Sequence, residues 1–198
     1  HIPAAAHRVP PSIQKENGVF HIQTRNGQHL TADLVVAGIG IQPNVAMARA
    51  AGLKVSDGIE VNDRLQSSDQ NIYAAGDLAC FPDPILGRRR MEHWDNAQAQ
   101  GKRAGENMAG ASLPFDYMPL FFSDLFELGY EAVGLVRTSL ETVCDWQEEN
   151  KTGVVYYLQN KKVRGVLLCN VWEKVDAARA LIKAGQPADS ASLRGAIK

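Results

Sequence analysis

The sequence predicts an α/β segment followed by an α+β module, and three observations support this. In the first 114 residues, short apolar runs alternate with helical segments and turns. From Phe115 onward, five strand-like runs follow one another over short connections. One amphipathic helix, Asp176–Ala184, comes after those strands. Alternating strands and helices are typical of α/β folds, whereas a run of strands closed by a helix is typical of an antiparallel α+β module.

The N-terminal stretch predicts a hairpin and then a buried strand. Val19–Thr24 alternates apolar and polar residues, Asn26-Gly27 is a strong hairpin signal, and Gln28–Thr31 returns as the second strand. Asp33–Gly40 is a continuous apolar run that ends in glycines, which predicts a strand buried on both faces.

A short helix and two short strands are predicted next. The helix covers Val45–Ala51 and ends at Gly52, and the strands cover Gly58–Val61 and Asn71–Ala75. Asp77 follows the second strand after one glycine. A carboxylate at the tip of a buried strand is costly unless something satisfies it. It therefore either caps a following helix or holds a polar ligand at the carboxyl end of a sheet.

The stretch that follows is predicted to be a loop and then a long helix. Pro82, Pro84 and Gly87 indicate the loop, and Trp94–Met108 indicates the helix, which Gly110 ends. Small residues on one face of this helix permit close packing against a neighbour.

The C-terminal module is predicted to be an antiparallel meander with a terminal helix. A turn at Gln159–Lys162 joins two of its strands, and Gly185 caps the helix. Composition leaves the last dozen residues as the part open to disorder. We place the boundary of the module near Leu113-Pro114. Its predicted strands are Leu120–Phe126, Glu131–Val136, Thr142–Gln147, Val154–Gln159 and Val163–Val171.

Composition excludes several classes of function. The formal net charge of -1 gives no basic field for nucleic acid or an anionic membrane, and no apolar run approaches the ~20 residues of a membrane span. The three cysteines and the histidines have no disulfide, zinc or other metal-ligand spacing. Arg88–Arg90 is interpreted as a solvated hairpin or a set of intramolecular salt bridges. No secretory signal is evident, so we expect a cytoplasmic protein.

Five blocks of sequence, in this order, resemble FAD- and NAD(P)H-binding reductases. The last two narrow the resemblance to the family of apoptosis-inducing factor and the ferredoxin reductases of oxygenase systems, and the match runs from about Val19 to Gly185. The blocks are DLVVAGIGIQPN, NIYAAGDLACF, LGRRRMEHWDNAQAQGKRAGENMAG, FFSDLFELGYEAVGLV and GVVYYLQNKKVRGVLLCNVWEKVDAARALIKAG.

The resemblance implies three domain segments. Residues 1–40 correspond to the end of a NAD(P)-binding domain, 41–114 to the second segment of a split FAD-binding domain, and 115–198 to the C-terminal domain. The family's two glycine-rich dinucleotide fingerprints are absent here, since Gly38-Ile39-Gly40 continues into Ile41. A pyrophosphate needs such a glycine turn and a helix N-terminus. We therefore expect the chain alone to bind FAD weakly or not at all, and to be inactive.

The resemblance also implies cofactor-binding residues around the first of these motifs. Asp77 would accept hydrogen bonds from the ribityl chain of FAD, the amide of Leu78 would lie near the pyrophosphate, and Gly76 would permit close backbone approach. Gly40, in a turn with Pro43 and Asn44, would lie on the nicotinamide side. The alternatives are a plain helix cap and an ordinary strand-to-helix turn.

Glu92, His93, Trp94 and Phe122 complete the implied site. By resemblance, His93, Trp94 and the start of the following helix approach the flavin's pyrimidine end, and Glu92 lies beside the nicotinamide. Phe122 stands where relatives often carry Trp, an aromatic that covers the flavin or nicotinamide. The alternatives are a surface Glu, a core Trp and a core strand aromatic. His93 is disfavoured as a general base, because hydride transfer needs orientation more than a proton donor.

The function that the resemblance implies is FAD-dependent NAD(P)H oxidoreduction by the intact parent, with no catalytic side chain and no metal. The acceptor would be a ferredoxin-type protein or a small molecule such as a quinone. One alternative is a redox-responsive flavoprotein whose NADH-driven reduction controls dimerisation or partner binding. Another is a structural interaction domain that forms a homodimer. A short turn at Trp146–Gly153, where animal apoptosis-inducing factor has a long insertion, favours a bacterial-type reductase.

Overall fold

The computed structural model describes residues 12–197, and the chain forms two compact units, His1–Gln42 and Pro43–Lys198. The predicted class, α/β followed by α+β, is confirmed. The assignment of 1–40, 41–114 and 115–198 to three domain segments stays a prediction. No helix in the described range is long and apolar enough to cross a bilayer.

The first unit contains a three-stranded antiparallel meander in the order β1-β2-β3. Its strands are β1 (Ser12–Glu16), β2 (Val19–Gln23) and β3 (His29–Ala32). The predicted hairpin is present: the amide of Gly27 donates to the carbonyl of Thr24 at 2.9 Å. Gly27 has a φ of +80°, which an L side chain rarely adopts.

The predicted buried strand at Asp33–Gly40 is wrong. The backbone from residue 34 to 45 forms no strand, and Leu34, Val36 and Ile39 are 75%, 87% and 88% exposed. A strand that is apolar on both faces needs neighbouring strands to pair with and helices to cover it. Within the described part of this unit, the meander is the only sheet, and it does not extend to this run.

The second unit begins with a short helix and a small sheet. Helix α1 (Ala46–Ala50) is followed by Gly52 at a φ of +75°, as predicted. The sheet has the order β4-β5-β6, with β4 parallel to β5 and β5 antiparallel to β6. Its strands are β4 (Ile59–Glu60), β5 (Ala79–Asp83) and β6 (Gly87–Arg89).

Two predictions fail in this sheet. Asn71–Ala75 is not a strand, because its pairing is limited to one bridge between Tyr73 and Gln66. The predicted loop after Asp77 is instead the β5–β6 hairpin. The carboxylate of Asp83 closes its turn by accepting from the next two free amides, each at 2.9 Å. Pro82 is tolerated in β5 because β4 pairs with the strand before that position.

Helix α2 (Trp94–Met108) has the predicted bounds and buries both apolar and amide side chains. Its Ala104 joins a core cluster with Phe81 and Phe115. On the same helix, the buried polar residues are Asn96, Gln100 and Asn107.

All five predicted C-terminal strands are present, in one antiparallel sheet of order β7-β8-β11-β10-β9. The predicted meander is wrong, because β8 pairs with β11 and not with β9. The predicted helix α3 (Val175–Ala184) packs on β8 and β11 and ends at Gly185, which has a φ of +57°. Asn160 and Lys161, at φ values of 53° and 58°, form the predicted tight turn. The strands are β7 (Leu120–Leu125), β8 (Leu128–Gly134), β9 (Glu141–Glu148), β10 (Thr152–Gln159) and β11 (Lys162–Cys169).

The described residues at the C-terminal end, up to 197, are folded, contrary to the expectation from composition. A short helix α4 (Ser190–Leu193) begins with a capping box between Asp189 and Ser192. Leu193 and Ile197 are 1% and 5% exposed and belong to the core of the C-terminal sheet. Two well-placed apolar residues anchor a segment whose average composition is polar.

Candidate functional site

Asp77 lies in a 3-10 turn, Gly76–Leu78, immediately before β5. Its side chain is exposed, and its carboxylate makes no hydrogen bond to any described residue. The residue that precedes the turn is Ala75, and no side chain caps it. The helix-cap alternative is therefore wrong, and the carboxylate is free to accept hydrogen bonds from a ligand.

The turn is fixed by three contacts to its backbone. The amide of Gly76 donates to Oε1 of the fully buried Gln100 at 2.8 Å. The carbonyl of Asp77 accepts from Nη1 of Arg90 at 3.0 Å. A Cβ on Gly58 would come within 2.5 Å of the carbonyl oxygen of Leu78, so these two backbone segments are packed tightly. Sequence reasoning missed Gln100, which looked like one polar residue among many on a helix.

The three consecutive arginines bind within the protein. Arg88 donates to the carbonyl oxygens of Val61 at 3.0 Å and Cys80 at 2.7 Å. Arg90 forms an ion pair with Glu92 at 2.6 Å, and its side chain is 9% exposed. The interpretation as an intramolecular set is confirmed for Arg89 and Arg90, whose side chains are 11% and 9% exposed, whereas Arg88 is exposed and donates to carbonyls.

His93 lies in the segment of chain that joins β6 to α2, and its ring stacks on an aromatic ring. Its ring centroid is 4.6 Å from that of Phe121, and the planes are 12° apart. Burial lowers the pKa of the imidazole below its usual range, and the charge of Arg89 lowers it further. Carboxylates including Asp77 and Glu92 act in the opposite direction. A lowered pKa leaves His93 neutral at pH 7.

Trp94 and Phe122 present aromatic surface to solvent. They are 66% and 56% exposed, so neither is a core aromatic, contrary to the alternative interpretations. Both line a cavity of about 130 Å³ together with His93 and Phe121. Large exposed aromatic side chains grouped around one cavity are typical of a binding surface.

Asp95 connects the start of α2 to the C-terminal module. Its two carboxylate oxygens accept from the hydroxyl of Tyr117 at 3.1 Å and the amide of Leu120 at 3.0 Å. Arg179 on α3 donates to the same hydroxyl at 2.7 Å. Sequence reasoning missed this network, because an acidic residue in the first turn of a helix is common for reasons of helix electrostatics alone.

The structure brings most of the predicted site residues into one unit. Asp77 and Glu92 both act electrostatically on His93, which shares a cavity with Trp94 and Phe122. Gly40 belongs to the first unit, where it has a φ of +86° and open space at its Cβ position. Its predicted nicotinamide role stays a prediction. Within residues 12–197, no group of His, Cys, Asp or Glu is arranged to hold a metal ion.

These residues suit one part of a flavin nucleotide. The free carboxylate of Asp77 matches a hydroxyl donor, and the exposed rings around His93 match a planar aromatic group. The sequence holds no glycine-rich turn for a pyrophosphate. The site therefore fits the sugar-alcohol and ring portions of FAD and lacks the dinucleotide fingerprint.

Comparison with known proteins gives two adjoining family matches. Residues 4–101 match the profile described as pyridine nucleotide-disulphide oxidoreductase. Residues 104–152 and 144–184 match the profile described as apoptosis-inducing factor, mitochondrion-associated, C-term. The two together span nearly all of the chain.

Individual relatives agree with these matches. The chain is 33% identical to putative apoptosis-inducing factor 1, mitochondrial, of Drosophila melanogaster, over 90% of this chain and 31% of that protein. It superposes on a ferredoxin reductase for the CYP199A2 system from Rhodopseudomonas palustris with a TM-score of 0.82 and 27% identity, over 93% of this chain and 46% of that one. It superposes on a covalent putidaredoxin reductase–putidaredoxin complex with a TM-score of 0.79 and 29% identity, over 92% and 45%. The chain thus spans between 31% and 46% of the length of these relatives.

Proposed function

We propose, because the chain belongs to the pyridine nucleotide-disulphide oxidoreductase family, that it forms part of an FAD-dependent NAD(P)H oxidoreductase. When bound, FAD supplies the chemistry of taking electrons from NAD(P)H and passing them on. The observation that carries the proposal is the exposed carboxylate of Asp77, which lies on a turn fixed by Gln100, acts electrostatically on His93, and accepts no hydrogen bond from the described residues.

Each residue of this site has a binding or orienting role in the proposal. Asp77 accepts from a hydroxyl of the flavin's sugar-alcohol chain, and Gly76 and Leu78 bring backbone close to it. Neutral His93 and the first amides of α2 present hydrogen-bonding groups and a positive dipole end to the ring system. Glu92, fixed by Arg90, orients the nicotinamide.

The proposed acceptor is a ferredoxin-type protein or a small molecule such as a quinone. The solved putidaredoxin reductase–putidaredoxin complex supports the former, since this chain superposes on it with a TM-score of 0.79. The exposed Trp94 and Phe122 provide aromatic surface near the proposed ring position. The chain alone, without a glycine-rich fingerprint, is proposed to bind FAD weakly and to be inactive.

Flavin fluorescence and steady-state kinetics test the proposal together. Titration of this chain with FAD should give weak quenching, and Asp77→Asn should weaken it further, with the exposed Asp124→Asn as the matched control. The full-length protein should reduce ferricyanide, a quinone or a ferredoxin with NADH or NADPH. Tight FAD binding by the chain alone would overturn the role given to the missing fingerprint, and no flavin in the full-length protein would overturn the function.

A second candidate is a redox-responsive flavoprotein in which reduction controls dimerisation or partner binding. The match of residues 104–184 to the apoptosis-inducing factor profile favours it. Slow turnover, a long-lived reduced complex and a rise in molecular mass on adding NADH would support this candidate. Rapid turnover without a change in mass would support the reductase.

A further inference from the structure

A second cavity, of about 360 Å³, is also lined by His93 and Phe121. One wall is the segment Arg89–His93, which begins at the last residue of β6, and the other is Gly134–Arg137, where β8 ends. The β8 wall is closely packed: Gly134 has a φ of +82°, and a Cβ there would clash with the carbonyl oxygen of Arg164. Each wall contributes an arginine with an unusual environment, Arg89 and Arg137.

The guanidinium of Arg89 is buried without an oxygen to bond to. Its side chain is 11% exposed, and its Nη1 has no hydrogen-bond partner. Its Nη2 donates to the thioether sulphur of Met91 at 3.8 Å. Asp83 balances the charge, but its Oδ2 lies 3.7 Å from Nη1, and its Oδ1 accepts from the amides of the β5–β6 turn. Buried guanidinium groups normally donate to oxygens.

Arg137 brings a second positive charge to the same cavity without a counter-ion. It is exposed, and no carboxylate among the described residues forms an ion pair with it. Burial lowers the pKa of Arg89, and while Asp83 opposes this, Arg137 adds to it, so the two guanidinium groups repel. Arg90, which also lines the cavity, differs because Glu92 pairs with it at 2.6 Å.

We propose that this cavity binds a small molecule through an oxyanion, a carboxylate or phosphate group, held between Arg89 and Arg137. An oxyanion supplies the acceptors that Arg89 lacks and relieves the repulsion between the two side chains, and the guanidinium fork matches its geometry. The volume of about 360 Å³ suits a ligand of metabolite size. The cavity shares Glu92 and His93 with the proposed flavin site. Anion binding is measured on this chain without FAD or NAD(P)H, so a failure of this proposal is distinguishable from a failure of the proposed function.

The test is a titration of this chain with inorganic phosphate and, separately, with succinate, followed by amide NMR at low ionic strength. Saturable shifts should appear at residues 89–93 and 134–137. Arg137→Gln should weaken binding about tenfold, which corresponds to about 1.4 kcal/mol, because a charge-assisted hydrogen bond is lost. The matched control is Arg194→Gln, which removes the same charge from an exposed position outside the cavity and should leave the affinity unchanged.

The outcomes separate the two sources of the oxyanion. Binding of phosphate alone supports a phosphate ester, binding of succinate alone supports a carboxylate, and competition between them supports a site for either. Arg89→Lys keeps the charge but loses the fork, so it should also weaken binding while the circular dichroism spectrum is retained. The absence of saturable binding by either anion, or equal weakening by Arg137→Gln and Arg194→Gln, would overturn the proposal.

Discussion

The amide of Gly76 donates a 2.8 Å hydrogen bond to Oε1 of Gln100, which lies 24 residues later in the chain on the buried face of α2. Gly76 has a φ of +74°, and its neighbour Asp77 is exposed. The hydrogen bond to Gln100 therefore fixes the position of the turn that carries the free carboxylate. The backbone amide of Gly76 needs an acceptor oxygen. The side-chain carbonyl of Gln100 supplies it, so the chemistry of this side chain, rather than its size, fixes the turn.

Replacing Gln100 with Ala should destabilise the second unit by about 2–3 kcal/mol, because a buried amide loses its acceptor. Flavin affinity of the full-length protein should fall as well, since the turn that carries Asp77 is no longer fixed. The matched control is Gln98→Ala on the exposed face of α2, which should change stability by less than about 0.5 kcal/mol. Urea denaturation measures the free energy of unfolding of the two variants, and an equal loss in both would contradict the role of Gln100.

Alanine substitutions at two glycines should have opposite signs. Gly76→Ala should destabilise the unit by about 1–2 kcal/mol, because an L side chain disfavours a φ of +74°. Gly101→Ala lies in the interior of α2 with nothing within 4 Å of its Cβ position, so it should stabilise by about 0.5–1 kcal/mol. Thermal unfolding measures both, and a stabilising Gly76→Ala would show that the turn is not held as described.

The pKa of His93 should be below the usual value of about 6.5, mainly because the imidazole is partly buried. The folded chain then binds fewer protons than the unfolded chain, so this residue makes stability fall as pH drops below about 6.5. Asp77→Asn should lower the pKa of His93 further, because the carboxylate stabilises the charged ring. NMR titration of the His93 ring measures this. Asp124→Asn is the control, and an unchanged pKa in Asp77→Asn would place Asp77 too far from the ring.

The elements that local signals specify were predicted well, and those that depend on distant partners were not. Helix α2 and the C-terminal strands have their own periodicity and end signals, so their positions follow from nearby residues. The hairpin β5–β6 was missed because Pro82 and Pro84 suggest a loop, whereas Asp83 closes a turn between strands. Asp33–Gly40 has the pattern of a buried strand but no pairing partner among the described residues of its unit.

The residues of the candidate site show the same difference between local signals and long-range contacts. Asp77 and His93 were found because they stand in sequence motifs, whereas Gln100 and Asp95 act through hydrogen bonds over 24 and 25 residues. No local pattern distinguishes a buried amide on a helix from an exposed one, because both are polar residues at helical spacing. Long-range polar contacts of this kind require the fold before they can be assigned.

The C-terminal tail should be part of the stable core, although its composition suggested disorder. Leu193 is 1% exposed within the core of the C-terminal sheet, and the amide of Gly195 donates to the carboxylate of Asp145 on β9 at 2.7 Å. Leu193→Ala should therefore lower the free energy of unfolding by about 2–5 kcal/mol through lost burial and a cavity. The matched control is Leu34→Ala, a leucine that is 75% exposed, which should change stability by less than about 0.5 kcal/mol. Chemical denaturation followed by tryptophan fluorescence compares them. A Leu193→Ala variant as stable as the unmodified chain would show that the tail contributes nothing to the core.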